Sequence, residues 1–324
     1  MVAPETAGDP MSAQEWVRSS LRTLSRRLSD AGHRASPPTV RRVLKKRDYA
    51  LHVNAKKTEA RSDHPERDAQ FTHIGEQRAA GVAAGQPIIR VDTKKKELIG
   101  NVKNAGQAWS QDPEAVNAHD FLSDAQGRAV PYGVGVYDVT RNRGTVYVGS
   151  SGDTSPFAVD AIAAWWDAEG RVAYPAADHL LILADGGGSN GYRPRLWKQR
   201  LQETLCDGVG LSVSVCPYPT GCSKWTPIEH RLFGPISVNG AGKPSRTWEG
   251  MLASIRGTTA ADLQVEAARL DGLYPTGLRV SDAEMDLLNR TPHDVCPSWH
   301  YTLYPRSRPA SAIATPTPNR EVIV

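Results

Sequence analysis

Residues His179–Asn190 read HLLILADGGGSN. Leu180, Leu181, Ile182, Leu183 and Ala184 form an unbroken apolar run, then an acid and three glycines follow. A short run of this kind, bounded by turn residues, predicts a strand buried on both faces. A sheet covered on both faces needs helices on both sides, which points to an α/β domain. Asp185 then stands at the tip of a buried strand. The glycines leave its task open: a loop around phosphate, a metal ligand, or the start of an Asp-Gly turn.

The flanking elements fit that frame. PIIRVD (87–92) is a short β-branched run ending in Asp92. VPYGVGVYDVTRNRGTVYVGSS (130–151) predicts a β-hairpin turning at RNRG. SPFAVDAIAAWWDAEG (155–170) predicts a helix capped by Ser155 and ending before Gly170. YRPRLWKQRLQETLCDG predicts a helix, LSVSVCP a strand, and TPIEHRLFGPI another helix. Further on, LQVEAARLD alternates as a strand, and SDAEMDLLN opens with a capping box. The whole predicts a mixed sheet flanked by helices over residues 87–304, followed by a Pro/Ser/Thr/Ala-rich tail, 305–324, that reads as disordered.

The N-terminal part is different in charge. Residues 1–61 carry 13 Lys and Arg against six Asp and Glu, so the excess charge of the chain, +4 overall, sits there. Val17, Leu21, Leu24 and Leu28 form one apolar stripe across residues 13–30, predicting a helix. Ser36 and Pro37 open a second, with Arg41, Arg42, Lys45 and Lys46 around its outer face. Residues 1–50 thus predict a basic, partial helix-turn-helix segment suited to a polyanion. Residues 51–86 read as a linker with a helix around 68–80.

No apolar run approaches the length of a membrane span, and no leader pattern opens the chain. Four cysteines, Cys206, Cys216, Cys222 and Cys296, are too few for a disulfide scaffold and suit a reducing cytoplasm. Cys216 and Cys222 lack zinc-type spacing, so no zinc site is expected from them.

Three acids stand out: Asp92 and Asp185 at strand ends, and Glu229 near the start of a helix. Taken singly, Asp92 could pair with the lysines that follow it, Asp185 could start a turn, and Glu229 could close a capping box with Thr226. Taken together, strand ends of a parallel pair deliver groups to one sheet edge. Converging carboxylates repel one another unless cations bind, and oxygen ligands select Mg²⁺ or Mn²⁺. DGGGSN lacks the Lys of a phosphate-binding P-loop and the spacing of a dinucleotide fingerprint, so no nucleotide cofactor is expected.

Six ordered stretches, VDTKKKELIGNVKNAG, PYGVGVYDV, LLILADGGGSN, LWKQRLQ, SKWTPIEHRLFGPIS and WHYTLYP, resemble the DDE transposases of bacterial insertion sequences, and most closely the Rhodopirellula-type group. The resemblance runs from about Ser36 to Tyr304. It implies an RNase H-like, integrase-like catalytic domain in which Asp92, Asp185 and Glu229 hold two Mg²⁺ or Mn²⁺ ions. It implies metal-dependent strand cleavage and strand transfer on double-stranded DNA, an oligomer on that DNA, and a cytoplasmic, nucleoid-associated setting. Lys94, Lys95, Lys96, Lys103 and Lys224 flank the acids and are expected to contact phosphates alongside Arg41, Arg42, Lys45 and Lys46. Trp225, beside Lys224, is expected to pack rather than stack on a base. The stretch PYPTGCSKWT departs from the family pattern at Pro217, Thr220, Cys222 and Thr226. The alternative expectation is therefore a transposase-derived DNA-binding protein without catalysis.

Overall fold

The computed structural model describes residues 6–8, 15–17, 20–47, 49, 66–94, 96–119, 125–219, 228–260, 262–306 and 322–323. Two units divide near residue 59. In the first, strands β1 (Thr6–Gly8) and β2 (Glu15–Val17) pair antiparallel. Helix α1 (Leu21–Asp30) follows, capped by Ser20, whose Oγ accepts from the Thr23 amide. That cap sets the helix start later than the apolar stripe suggested, and Val17 belongs to β2. Helix α2 (Pro37–Lys46) begins as expected after Ser36. Leu24 of α1 and Val40 of α2 are buried, and Ser25 Oγ donates to the Ala35 carbonyl to tie the intervening turn.

The second unit is built on one mixed sheet. Its central strands are β3 (Ile88–Lys94), β5 (Ala125–Asp138), β6 (Arg143–Gly149), β7 (His179–Ala184) and β8 (Ser212–Val215). β3 pairs antiparallel with β5, and β5 with β6. On the other side β3 pairs parallel with β7, and β7 parallel with β8. This is the RNase H-like order. β9 (Gln264–Leu270) extends the sheet beyond β6. β10 (Arg290–Pro292) and β11 (Tyr301–Leu303) extend it beyond β8. A short β4 (Glu97–Gly100) pairs with the front of β5, and β12 (Val322–Ile323) pairs with β9.

Successive residues of β3 and β7 face opposite layers, and both layers are filled. Ile89, Val91, Leu180 and Ile182 pack against the helix α4 (Ser155–Trp165) and against Trp197 and Leu201 of α6 (Arg195–Leu201). Ile88, Leu181 and Leu183 pack on the other face against Ile74 of α3 (Arg67–Ala83). The hairpin turn lies at residues 139–142, two residues before the expected RNRG (141–144), because Arg143 and Gly144 already pair with Asp138 and Tyr137, and Asn142 sits at φ 51°. Asp138 caps it, accepting from the Thr140 and Arg141 amides.

Gly170 does not end the helix that starts at Ser155. The helix passes through a wider turn, Trp166–Gly170, into a last turn α5 (Arg171–Ala173). A Cβ on Gly170 would lie 2.5 Å from the Trp166 ring, so the glycine makes room for tryptophan packing. Thr154, not Ser155, is the N-terminal cap residue. Among the described residues no helix is long and apolar enough to cross a membrane. Lys95, Thr220, Cys222, Lys224, Trp225, Thr226 and residues 307–321 lie outside the described residues.

Candidate active site

The register of the parallel pair sets the site. Val91 and Ala184 are the last pair between β3 and β7. Asp92 is not the end of β3, because the strand runs on to Lys94 against β5. It therefore stands beside Asp185, the first residue after β7, about 4.8 Å away in the pairing direction. A register shift between Thr93 and Lys94 bends β3 immediately beyond Asp92. Each acid accepts from the next amide in the chain: Asp92 Oδ1 from Thr93 N and Asp185 Oδ1 from Gly186 N, both at 2.7 Å.

The glycines after Asp185 serve the turn. Gly188 sits at φ +76°, where a side chain would be strained, and a Cβ on Gly191 would lie 2.9 Å from the Gly186 carbonyl oxygen. Asn190, buried, then reaches back and donates its side-chain amide to the Val91 carbonyl. Ser155 Oγ donates to the Ser189 carbonyl, fastening the loop to the start of α4. Ser189 Oγ in turn donates to Asp153 Oδ1 at 2.9 Å. Asp153 is a fourth acid that the sequence reading missed. It precedes a helix rather than ending a strand, so no periodicity marks it.

Glu229 opens a wide helical turn, Glu229–Phe233, that continues as α7 (Gly234–Asn239). Ile228, Leu232 and Phe233 bury the opposite side of this turn against the β5–β6 hairpin. The contact is close because the hairpin offers glycines there. A Cβ on Gly144 would lie 2.4 Å from Leu232 Cδ1, and one on Gly135 2.6 Å from the Phe233 ring. Gly144→Ala should therefore destabilise the domain by about 1–3 kcal/mol through overpacking and push the Glu229 turn off the sheet. A thermal midpoint lowered by several degrees checks the first part. An unchanged midpoint would mean that Leu232 moves aside without cost.

Asp92, Asp153, Asp185 and Lys96 line one open cleft with the backbone of Gly187 and Gly188. Glu229 lines the neighbouring cleft, which shares Lys94 and Lys96 with the first and adds Lys103. The other acids act on Asp92. Burial pushes the Asp92 carboxyl up to about 7, and the charges of Asp185, Glu229 and Asp153 push in the same direction. Burial also raises Asp185. Asp92 and Asp185, both half-buried, resist ionisation by themselves, which a divalent cation would relieve, and the donors at this cleft are all oxygen, which suits Mg²⁺ or Mn²⁺.

This has a consequence for the metal-free protein. An ordinary Asp ionises near 4, so between about pH 4 and pH 7 the folded chain holds a proton at Asp92 that the unfolded chain has lost. Stability should fall as pH rises through that window and level off above it. Urea unfolding of chelator-treated protein checks this: the gain of Asp92→Asn over wild type should grow from pH 5 to pH 8. A gain independent of pH would contradict the raised carboxyl.

The lysines divide. Lys96 and Lys103 are exposed. Lys94 is buried, and its ammonium lies 2.8 Å from Glu97 Oε1. Arg41, Arg42, Lys45 and Lys46 are all exposed on α2 of the first unit, where they surround a shallow groove floored by Leu21, Pro37 and Pro38.

A family model described as the Rhodopirellula transposase DDE domain matches residues 1–305. No curated protein matches the chain. Among solved structures, the chain is similar to a Mos1 transposase paired-end complex with left transposon end, at 12% identity and a TM-score of 0.40, over 72% of this chain and 64% of that one. It thus spans just under two thirds of that protein's length. It is also similar to a Mos1 strand transfer complex, at 13% identity and a TM-score of 0.36, over 75% of this chain and 71% of that one.

Proposed function

We propose, from the premise that this chain belongs to the Rhodopirellula transposase DDE domain family, that it cleaves and joins DNA strands at a metal site held by Asp92, Asp185 and Glu229. DDE transposase domains generally use divalent metal ions. The observation that carries the assignment is the end of the parallel β3–β7 pairing, which sets two acids side by side, with Glu229 acting electrostatically on Asp92. Two Mg²⁺ or Mn²⁺ ions bound there would activate the attacking oxygen and stabilise the leaving one in an in-line displacement at phosphorus.

The chain's own residues supply the rest. Asn190 and the Ser155–Ser189–Asp153 hydrogen bonds hold the acid-bearing loop still. Lys96 and Lys103 contact phosphates of the strand being cut. Lys94, paired with Glu97, fixes the bend beyond Asp92 instead. Arg41, Arg42, Lys45 and Lys46 on α2 bind duplex DNA at the element end, as the second helix of a helix-turn-helix does. Water attacks first, and the freed 3′-hydroxyl then attacks target DNA, so no side chain becomes covalently linked to DNA. The protein would work as an oligomer that brings two element ends together, in the nucleoid of a bacterial cytoplasm.

The test is cleavage of a duplex carrying the DNA that flanks the gene. The reading expects nicks that need Mg²⁺ or Mn²⁺, vanish with chelator and leave no protein–DNA adduct. Cleavage without a divalent ion, or through an adduct, would overturn it. Specific binding without cleavage by wild type under all metal conditions would favour the alternative, a transposase-derived DNA-binding protein.

A further inference from the structure

His73 lies on α3, Cys216 directly follows β8, His293 directly follows β10, and His300 directly precedes β11. One ligand atom from each of these four side chains lies within 4.8 Å of every other. Most of the cluster is buried: Cys216 and His300 are fully buried, His73 is 8% exposed, and His293 is half-buried.

The proton positions can be argued from the partners. His300 Nε2 lies 3.2 Å from the Pro217 carbonyl oxygen, which can only accept. Nε2 therefore carries the proton, and Nδ1 carries the lone pair. That Nδ1 is buried and has no hydrogen-bond partner among the described residues. His293 Nε2 lies 2.8 Å from Thr302 Oγ1, and Thr302 Oγ1 lies 2.6 Å from Ser214 Oγ. With Thr302 donating to Ser214 and accepting from His293, the His293 Nδ1 also presents a lone pair. It does so 2.8 Å from His73 Nε2. A metal-ligating histidine characteristically donates its other ring N–H to a carbonyl or hydroxyl, which fixes the ring. His300 is held that way by the Pro217 carbonyl, and His293 is held that way in the arrangement where Thr302 donates to Ser214.

The protonation states point the same way. Burial pushes His293 and His300 down to about 4 and lowers His73 as well. All three imidazoles are then neutral at pH 7, as ligands must be. Burial alone pushes the Cys216 thiol up to about 12, so only a bound cation would draw the proton from it near neutrality.

We propose that His73, Cys216, His293 and His300 bind one Zn²⁺ ion in a closed tetrahedral His₃Cys site. Zinc bonds to nitrogen at about 2.0–2.1 Å and to thiolate sulfur at about 2.3 Å, so tetrahedral ligand nitrogens stand about 3.3 Å apart. His73 and His293 would part by about 0.5 Å from their hydrogen-bonded distance to admit the ion. Binding displaces the Cys216 proton to solvent, shifts the His73 ring proton from Nε2 to Nδ1 through solvent, and replaces the His73–His293 hydrogen bond with two metal–nitrogen bonds. Imidazole and thiolate donors select zinc, whereas the all-oxygen set around Asp92 selects Mg²⁺ or Mn²⁺, so the two sites sort their ions by donor chemistry.

Four protein ligands leave no open position, which makes the site structural. It would join α3, the β8 edge and the β10–β11 pair into one body. It would also pin Cys216, from which the chain runs on to Glu229. The inference does not depend on the proposed strand-cleaving activity.

Metal analysis of the purified full chain tests it. We expect about one zinc per chain retained through dialysis against metal-free buffer. The cobalt-substituted protein should show intense tetrahedral visible bands and a thiolate-to-cobalt charge-transfer band. Cys216→Ser should lose that charge-transfer band, and His300→Ala should weaken zinc binding at least about tenfold. Asp92→Asn should retain the zinc, which separates this site from the acid cluster. Wild-type protein that takes up neither zinc nor cobalt would overturn the proposal. So would full zinc retention in a Cys216→Ser/His300→Ala double variant. If those variants fail to fold, the cobalt spectrum of wild type decides: the charge-transfer band supports the site and its absence overturns it.

Discussion

Asp185→Asn should lower divalent-metal-dependent strand cleavage by about 10³-fold or more while leaving the fold intact. A ligated cation contributes several kcal/mol at a displacement on phosphorus, and each 1.36 kcal/mol is a factor of ten in rate. The substitution is close to isosteric. The amide oxygen can still accept from Gly186 N, so the turn after β7 survives. Removing one charge also relieves the push on Asp92, so metal-free stability should hold or rise. A mere turn-forming role for Asp185 gives the opposite pattern, since Asn serves turns almost as well as Asp. Asp160→Asn is the matched control. Asp160 sits on α4, where Arg200 and Tyr274 hold its carboxylate, and cleavage should be unchanged there. Retained cleavage in Asp185→Asn, with normal metal dependence, would remove Asp185 from the site.

The second large effect concerns the first unit. Deleting residues 1–59 should weaken binding to duplex DNA and flatten its salt dependence. Each phosphate contact contributes about 0.9 to the slope of log affinity against log salt. Four contacts, from Arg41, Arg42, Lys45 and Lys46, predict a slope shallower by about 3.6, or about 10³-fold in affinity at 0.1 M salt. The fourfold Gln variant of these residues separates charge from folding, because glutamine keeps helix propensity. It should reproduce most of the change in slope. A titration showing the same slope with and without the four charges would mean that α2 is not the DNA contact.

Both predictions rest on features legible in the residue order. HLLILA announced a strand buried on both faces, and it lies inside the sheet between β8 and β3. The strand and capping-box signals at 264–270 and 281–284 correspond to structural elements because local chemistry decides them, and the hairpin signal at RNRG (141–144) found the hairpin but placed its turn two residues late. Other features depend on tertiary contacts that local patterns do not encode. β4, β10 and β11 are short, and each exists because a neighbour supplies its hydrogen bonds. Gly170 looked like a helix stop, but two tryptophans need its missing side chain. Val17 extended the apolar stripe of α1, yet the Ser20 cap ended the helix short of it.

The acids divide in the same way. Asp92 and Asp185 are visible because each closes an apolar strand run that can be read from sequence, although β3 itself continues to Lys94. Asp153 is not, because the glycine loop delivers it through Ser189. The His₃Cys cluster was hidden for a plainer reason. Its ligands come from four separate segments between residues 73 and 300, and cysteine spacing alone argued against zinc.

The central claim is that Asp92, Asp185 and Glu229 hold divalent cations together. Anomalous diffraction from crystals of the protein equilibrated with Mn²⁺ tests it most directly. The account predicts manganese peaks between the carboxylates of Asp92 and Asp185, with Glu229 as a ligand, and loss of those peaks in Asp185→Asn. Well-ordered carboxylates with no manganese between them, in the presence of saturating Mn²⁺, would contradict it.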